Sequence, residues 1–230
     1  MPGNSRTGGH SRIAEALFRA YLRARLRGRA FSIVTNNCWG ADVYPAAGSP
    51  YQTPFVGLFI RPECYLRLLG DPAGLGRRAL RFTGSSRYDD VNRLRGGMSA
   101  PYPIGVLGGD VEILFMHYRT EAEAREKWTR RLSRMSGGTC FVKFCDTDGP
   151  SPAQMEAFDG LPLTHKVCFV GAPRPTVHCA CHLPGFERTG RVHNVQLTRH
   201  YRRSFDVADW LRGGSGTPRG LYRLLVRTIL

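Results

Sequence analysis

The alternation of short apolar runs with helical patterns constrains this chain most. Residues 31–35, 55–60, 111–118, 140–145 and 166–170 each read as a strand. Helix signals follow two of them directly. Thr120 with Glu123 three residues later forms a capping-box pattern, followed by an apolar stripe of Ala124, Trp128, Leu132 and Met135. Glu123–Lys127 and Glu126–Arg130 are spaced as i,i+4 ion pairs on the opposite side, and Gly137-Gly138 ends the pattern. Ser151 with Gln154 starts a second helix, to about residue 158. Further helices are expected at residues 11–29, 63–69, 207–211 and 221–229, with a shorter one at 41–47 interrupted by Pro45. Strands alternating with helices predict an α/β fold: a three-layer, Rossmann-like domain with a mostly parallel sheet. Residues 1–10 read as a disordered tail, 11–29 as a basic amphipathic helix, and 30–230 as one domain with an irregular excursion at about 70–103, which holds one strand near residues 80–82.

The 230 residues carry 33 Lys+Arg against 18 Asp+Glu, formally +15. That excess suits anionic partners such as phospholipid, nucleotide or acidic glycan. A coding bias toward arginine is the competing explanation, since Lys127, Lys143 and Lys166 are the only lysines. Nucleic acid is disfavoured, because aromatics do not interleave with the basic residues and no recognised motif is present. The helix at 11–29 places Ile13, Leu17, Tyr21 and Ala24 on one stripe among arginines. It reads either as a peripheral anchor on an anionic membrane or as a helix docked on its domain with solvated arginines. No run of about 18 apolar residues occurs, and no signal-peptide pattern follows the start, so a cytoplasmic location is expected. Seven irregularly spaced cysteines read as thiols.

Residues 36–40, Asn-Asn-Cys-Trp-Gly, end the first strand with polar groups that packing does not require. Open α/β sheets bind ligands outside the carboxyl ends of their strands. Cys38 is a candidate nucleophile if a helix start lowers its pKa; a buried small hydrophobe is the alternative. Asn36 and Asn37 could hydrogen-bond a ligand, Trp39 could stack on a sugar or base, and Gly40 would complete the turn. His117 closes a later strand and is the candidate general base, with Asp110 or Glu112 as orienter. Glu112 in mid-strand needs a basic partner, for which Lys127 and Arg131 are available; both are also candidate ligand contacts. Asp146 and Asp148 form an Asp-x-Asp turn after a strand, a pattern that holds Mg²⁺ or Mn²⁺ in some glycosyltransferases, although a plain turn has the same composition. Residues 178–182, His-Cys-Ala-Cys-His, with Cys168 and His193 nearby, carry zinc-type ligands at a density that rarely serves one tetrahedral ion.

Residues 36–40, Thr53–Ile60 (Thr-Pro-Phe-Val-Gly-Leu-Phe-Ile), Tyr102-Pro103-Ile104-Gly105 and His117-Tyr118 occur in order. They are followed by Glu123-Ala124, Lys127-Trp128, Arg130-Arg131 and Phe158-Asp159-Gly160-Leu161-Pro162. This set resembles a bacterial family of unknown function associated with exopolysaccharide or capsule biosynthesis, over roughly residues 25–212. The resemblance implies an α/β domain in a setting of surface-glycan assembly. It supplies no catalytic residues, and it lapses at residues 172–183. The leading expectation is a transferase of a glycosyl or other group, acting on a nucleotide-sugar or lipid-linked glycan precursor. The alternatives are a Cys38/His117 hydrolase or acyltransferase, and a non-enzymatic module for an anionic ligand.

Overall fold

The computed structural model describes residues 6–71, 74–135, 139–193 and 200–229. Helix α1 (Arg6–Leu26) leads into β1 (Ser32–Thr35), a single 3-10 turn at Cys38–Ala41 and α2 (Val43–Ala47). Pro45 sits in the first turn of α2, where its missing N–H is not needed. Then come α3 (Pro62–Leu69), β2 (Leu80–Thr83), α4 (Asp89–Gly96), β3 (Ile104–Leu107), β4 (Val111–Leu114) and α5 (Glu121–Leu132). The second half holds β5 (Cys140–Cys145), α6 (Pro152–Asp159), β6 (Lys166–Val170) and β7 (Ala180–His182). Helices α7 (Tyr201–Ser204), α8 (Val207–Trp210) and α9 (Gly220–Ile229) complete it. The chain is an α/β protein. Its main sheet is parallel, in the order β1-β5-β6-β7, and β2-β3-β4 form a separate antiparallel sheet.

Period-two alternation in the parallel strands builds the three layers. Ile33, Phe141, Val167 and Phe169 face a core made with α1, α2, α7, α8 and α9. Val34, Val142, Phe144, Cys168 and Val170 face the opposite core, with α3, α5, α6 and the antiparallel sheet. Helix starts follow local chemistry. Thr120 Oγ1 accepts from Glu123 N at 3.1 Å, and Ser151 with Gln154 forms a complete capping box. The Glu123–Lys127 and Glu126–Arg130 pairs form as their spacing predicts.

Four expectations are corrected. Residues 55–60 are not a strand: only Phe59 bridges, to Leu114, and the segment bends at Gly57. A side chain at Gly57 would meet Tyr118 at 3.1 Å and His117 at 3.2 Å, and its φ of +74° disfavours any other residue. In α1 the buried residues are Phe18, Leu22 and Leu26, whereas Ile13 and Leu17 are exposed. The helix starts at Arg6, inside the stretch expected to be disordered; residues 1–5 and Gly137-Gly138 lie outside the described residues. The excursion at 70–103 holds a helix, α4, besides the expected strand. No described helix is long and apolar enough to cross a membrane.

Candidate functional site

Parallel pairing of β1 with β5, Thr35 opposite Lys143, brings the carboxyl ends of these strands side by side. Asn36 and Asn37 therefore meet the turn at residues 146–148. Asn36 Nδ2 donates to Asp148 Oδ2 at 2.7 Å, and Asn37 Nδ2 donates to the same oxygen at 2.8 Å. Asn37 Oδ1 accepts from Lys143 Nζ at 3.0 Å, from Trp39 N at 3.2 Å and from Thr35 Oγ1 at 3.3 Å. Chemistry fixes these orientations: a carboxylate only accepts and an ammonium only donates, so Asn37 turns its NH₂ to Asp148 and its oxygen to Lys143. Lys143 is fully buried and Asp148 half-buried. Tyr65 braces the floor by donating to the carbonyls of Val34 and Lys143 at 3.0 and 3.1 Å. Asn36 Oδ1 is buried without a partner among the described residues, a cost of about 1–3 kcal/mol.

Burial pushes the Asp148 carboxyl above its usual range, against Lys143 and the two asparagine amides, which pull it down. Cys38 is half-buried, and its Sγ–H points to Leu58 O at 3.7 Å. Burial pushes its thiol up, and Asp148 and Asp42 add to the rise; the backbone at Gly57 and Leu58 opposes it and is outweighed. The expected helix-dipole activation does not develop, because a four-residue 3-10 turn follows the strand instead of a long helix. Cys38 and Tyr118 are close enough for charge on one to affect the other. Tyr118 in turn accepts from Arg131 Nη1 at 2.6 Å and donates to Val56 O. Arg131 stacks over Tyr51 at 4.8 Å, and the Lys127 ammonium lies 5.5 Å from the Tyr118 ring centre. Cys38 is thus within electrostatic reach of both Asp148 and Tyr118, and Tyr118 is in contact with Arg131 and Lys127.

The remaining candidates separate from this edge. Trp39 is 1% exposed and sits among Phe169, Tyr201 and Trp210, at ring distances of 5.3, 5.2 and 6.2 Å. It is core, not a stacking platform. Gly40 is buried, and a side chain there would approach Ile33 Cγ2 to 3.1 Å. His117 lies beyond the end of β4 in a turn, its ring exposed; its N–H donates to Gly57 O at 3.0 Å, and no hydrogen bond joins the ring to Cys38 among the described residues. The Gly57–Leu58 backbone lies between the two. Glu112 is buried in the antiparallel sheet, where Ser86 Oγ and Arg87 N donate to it and Arg87 Nε stands at 3.8 Å; neither Lys127 nor Arg131 is its partner. It orients nothing at Cys38.

The Asp-x-Asp turn does not fit a divalent cation. Both Asp146 oxygens accept backbone N–H groups, from Gly171 at 2.8 Å and Val192 at 2.7 Å, and Asp148 Oδ2 carries two amides. Among the described residues no group of three His, Cys, Asp or Glu could hold a metal. In the Cys/His stretch, Cys179 and Cys181 pack against opposite cores. Composition and turn patterns alone missed Lys143. The signal was a lone cation on the same face of β5 as Phe141 and Cys145, which needs a buried partner.

An uncharacterized protein of Haemophilus influenzae (strain ATCC 51907 / DSM 11121 / KW20 / Rd) is 31% identical over 194 residues, covering 82% of this chain and 87% of the relative. Neither this relative's description nor that of the matching family mentions exopolysaccharide. Residues 10–212 match the family model described as Domain of unknown function (DUF1919), and the chain belongs to that family.

Proposed function

We propose that this protein is a group transferase of surface-glycan assembly, moving a glycosyl group from a phosphorylated donor to an acceptor hydroxyl at the carboxyl end of the parallel sheet. The observation that carries the reading is Asp148: a half-buried carboxylate with raised pKa, aimed by two asparagine amides and backed by a buried ammonium. Raised carboxyl pKa values at a sheet edge suit general-base work. In the transfer step the acceptor oxygen bonds to the anomeric carbon as its proton passes to Asp148. The bond from that carbon to the donor's phosphate oxygen breaks, and the electron pair leaves on the phosphate. Lys127 and Arg131 offset the charge of the departing phosphate. The donor class is a nucleotide sugar or a lipid-linked glycan phosphate, in keeping with the exopolysaccharide resemblance.

Cys38 enters as a wall of the site. A thiol pushed up by burial is mostly protonated near neutrality, which weighs against the hydrolase reading. The test is a thermal-shift panel of nucleotide sugars and polyprenyl-phosphate sugars. A matching donor at 100 times its Kd stabilises the fold by about 2.7 kcal/mol, and Arg131→Ala weakens that shift. If no member of the panel raises the melting temperature, the reading falls.

A further inference from the structure

Four of the seven exposed large hydrophobic residues among the described positions lie on two helices in contact, α1 and α9: Ile13 (63% exposed), Leu17 (42%), Leu221 (72%) and Leu224 (62%). Such clustering differs from scattered surface leucines, which need no explanation. Ile13 and Leu17 continue one edge of α1 toward Tyr21, whose ring meets Tyr222 of α9 at 5.2 Å. Tyr21, one turn beyond Leu17, therefore joins this edge of α1 to α9. Both helices are basic. Exposed Arg12, Arg19, Arg23 and Arg25 belong to α1, against Glu15 as its single acid, and that acid is paired with Arg19 and Arg202. Helix α9 carries Arg223 and Arg227 and no acidic residue.

We propose that the paired α1–α9 face docks this protein on an anionic lipid bilayer. The apolar residues enter the headgroup boundary while the arginines meet lipid phosphates, the combination by which interfacial helices bind membranes. Charge selects the bilayer over a second copy of the chain: a protein of formal charge +15 that brought two arginine-rich faces together would repel itself, whereas anionic lipid attracts it. The sequence pointed to α1 alone. The structure adds α9 as the other half of the face, and the proposal stands without the transferase reading.

Cosedimentation of the full chain with vesicles tests it. The chain pellets with phosphatidylcholine vesicles containing phosphatidylglycerol, about tenfold less with phosphatidylcholine alone, and less again as salt rises. Leu17→Ser with Leu224→Ser lowers pelleting about tenfold at unchanged circular dichroism, since both side chains are exposed. Arg223→Glu with Arg227→Glu removes the preference for anionic vesicles. Equal pelleting on both lipids, no pelleting at all, or a dimer that the double leucine variant abolishes without any vesicle binding would each overturn the proposal.

Discussion

Glu112 and Asp148 are both carboxylates drawn into the interior, and their partners set them apart. Glu112 lies in the small antiparallel sheet and takes donors from two consecutive residues, Ser86 and Arg87. Those contacts tie one loop to one strand. Asp148 takes its donors from side chains on a neighbouring strand end, Asn36 and Asn37, with Lys143 behind them. Glu112 is 3% exposed, while Asp148 retains a partly exposed edge. A buried acid satisfied by adjacent loop groups is a lock. A partly exposed acid aimed by side-chain amides from a neighbouring strand end keeps an edge that, in the proposed function, meets the acceptor. Burial of a charge alone does not distinguish the two; the origin of the donors does.

Substitutions can break this contrast, and the largest effect is expected at Lys143. Lys143→Met strips the buried network of its cation and leaves the Asp148 charge uncompensated, although Asn37 Oδ1 keeps Trp39 N and Thr35 Oγ1 as donors; a loss of about 3–5 kcal/mol is expected in chemical denaturation. A loss below about 1 kcal/mol would mean that the network is solvated rather than buried. Glu112→Ala orphans Ser86 Oγ and Arg87 N and costs about 2–3 kcal/mol, while the folded protein keeps its donor-induced thermal shift. If that shift disappeared, the lock and the site would not be separate. Asp148→Asn retains an oxygen that can accept both asparagine amides, so its stability changes by at most about 1 kcal/mol.

The same variant has a pH signature. Burial raises the folded-state pKa of Asp148, so the ionised folded form is disfavoured relative to the unfolded chain. Its penalty is fully present above the raised pKa. It is relieved as pH falls through that value toward the ordinary aspartate range. Wild type should therefore gain stability relative to Asp148→Asn over that acid window, and parallel melting curves across pH would check it. Asp159 runs the other way. Its carboxyl is held well below the usual range by the N–H groups of His178 and Cys179 and by the His178 ring, which outweigh its desolvation. The stability it contributes is lost on acidification through its lowered folded pKa. The smallest effect belongs to His117→Ala, within about 0.5 kcal/mol, because the ring is exposed.

Much of the fold was legible in the chain because its strands and helices carry local signals. The 140–145 and 166–170 strands, the Thr120 and Ser151 helix starts and the three-layer order all follow from alternation and capping. Residues 55–60 misled because a short apolar run does not state its period; the bend at Gly57, packed close to Tyr118 and His117, is a tertiary fact. In helix α1 the stripe read from Ile13, Leu17, Tyr21 and Ala24 is not the buried one; Phe18, Leu22 and Leu26 are, and that depends on what packs beneath the helix. At the site, Asn36 and Asn37 stood out as polar groups with no packing role. Their meeting with Asp148 required the pairing of β1 with β5, across more than a hundred residues. Trp39 looked like a ligand contact for the same reason as its neighbours, yet its ring closes an aromatic core.

The most direct test of Asp148 as general base compares wild type with Asp148→Asn for release of nucleoside diphosphate from a donor that both proteins bind. If Asp148 is the general base, turnover falls about 10²–10⁴-fold with donor affinity retained. Undiminished turnover in Asp148→Asn would contradict it, and Asp148 would then be a second structural lock like Glu112.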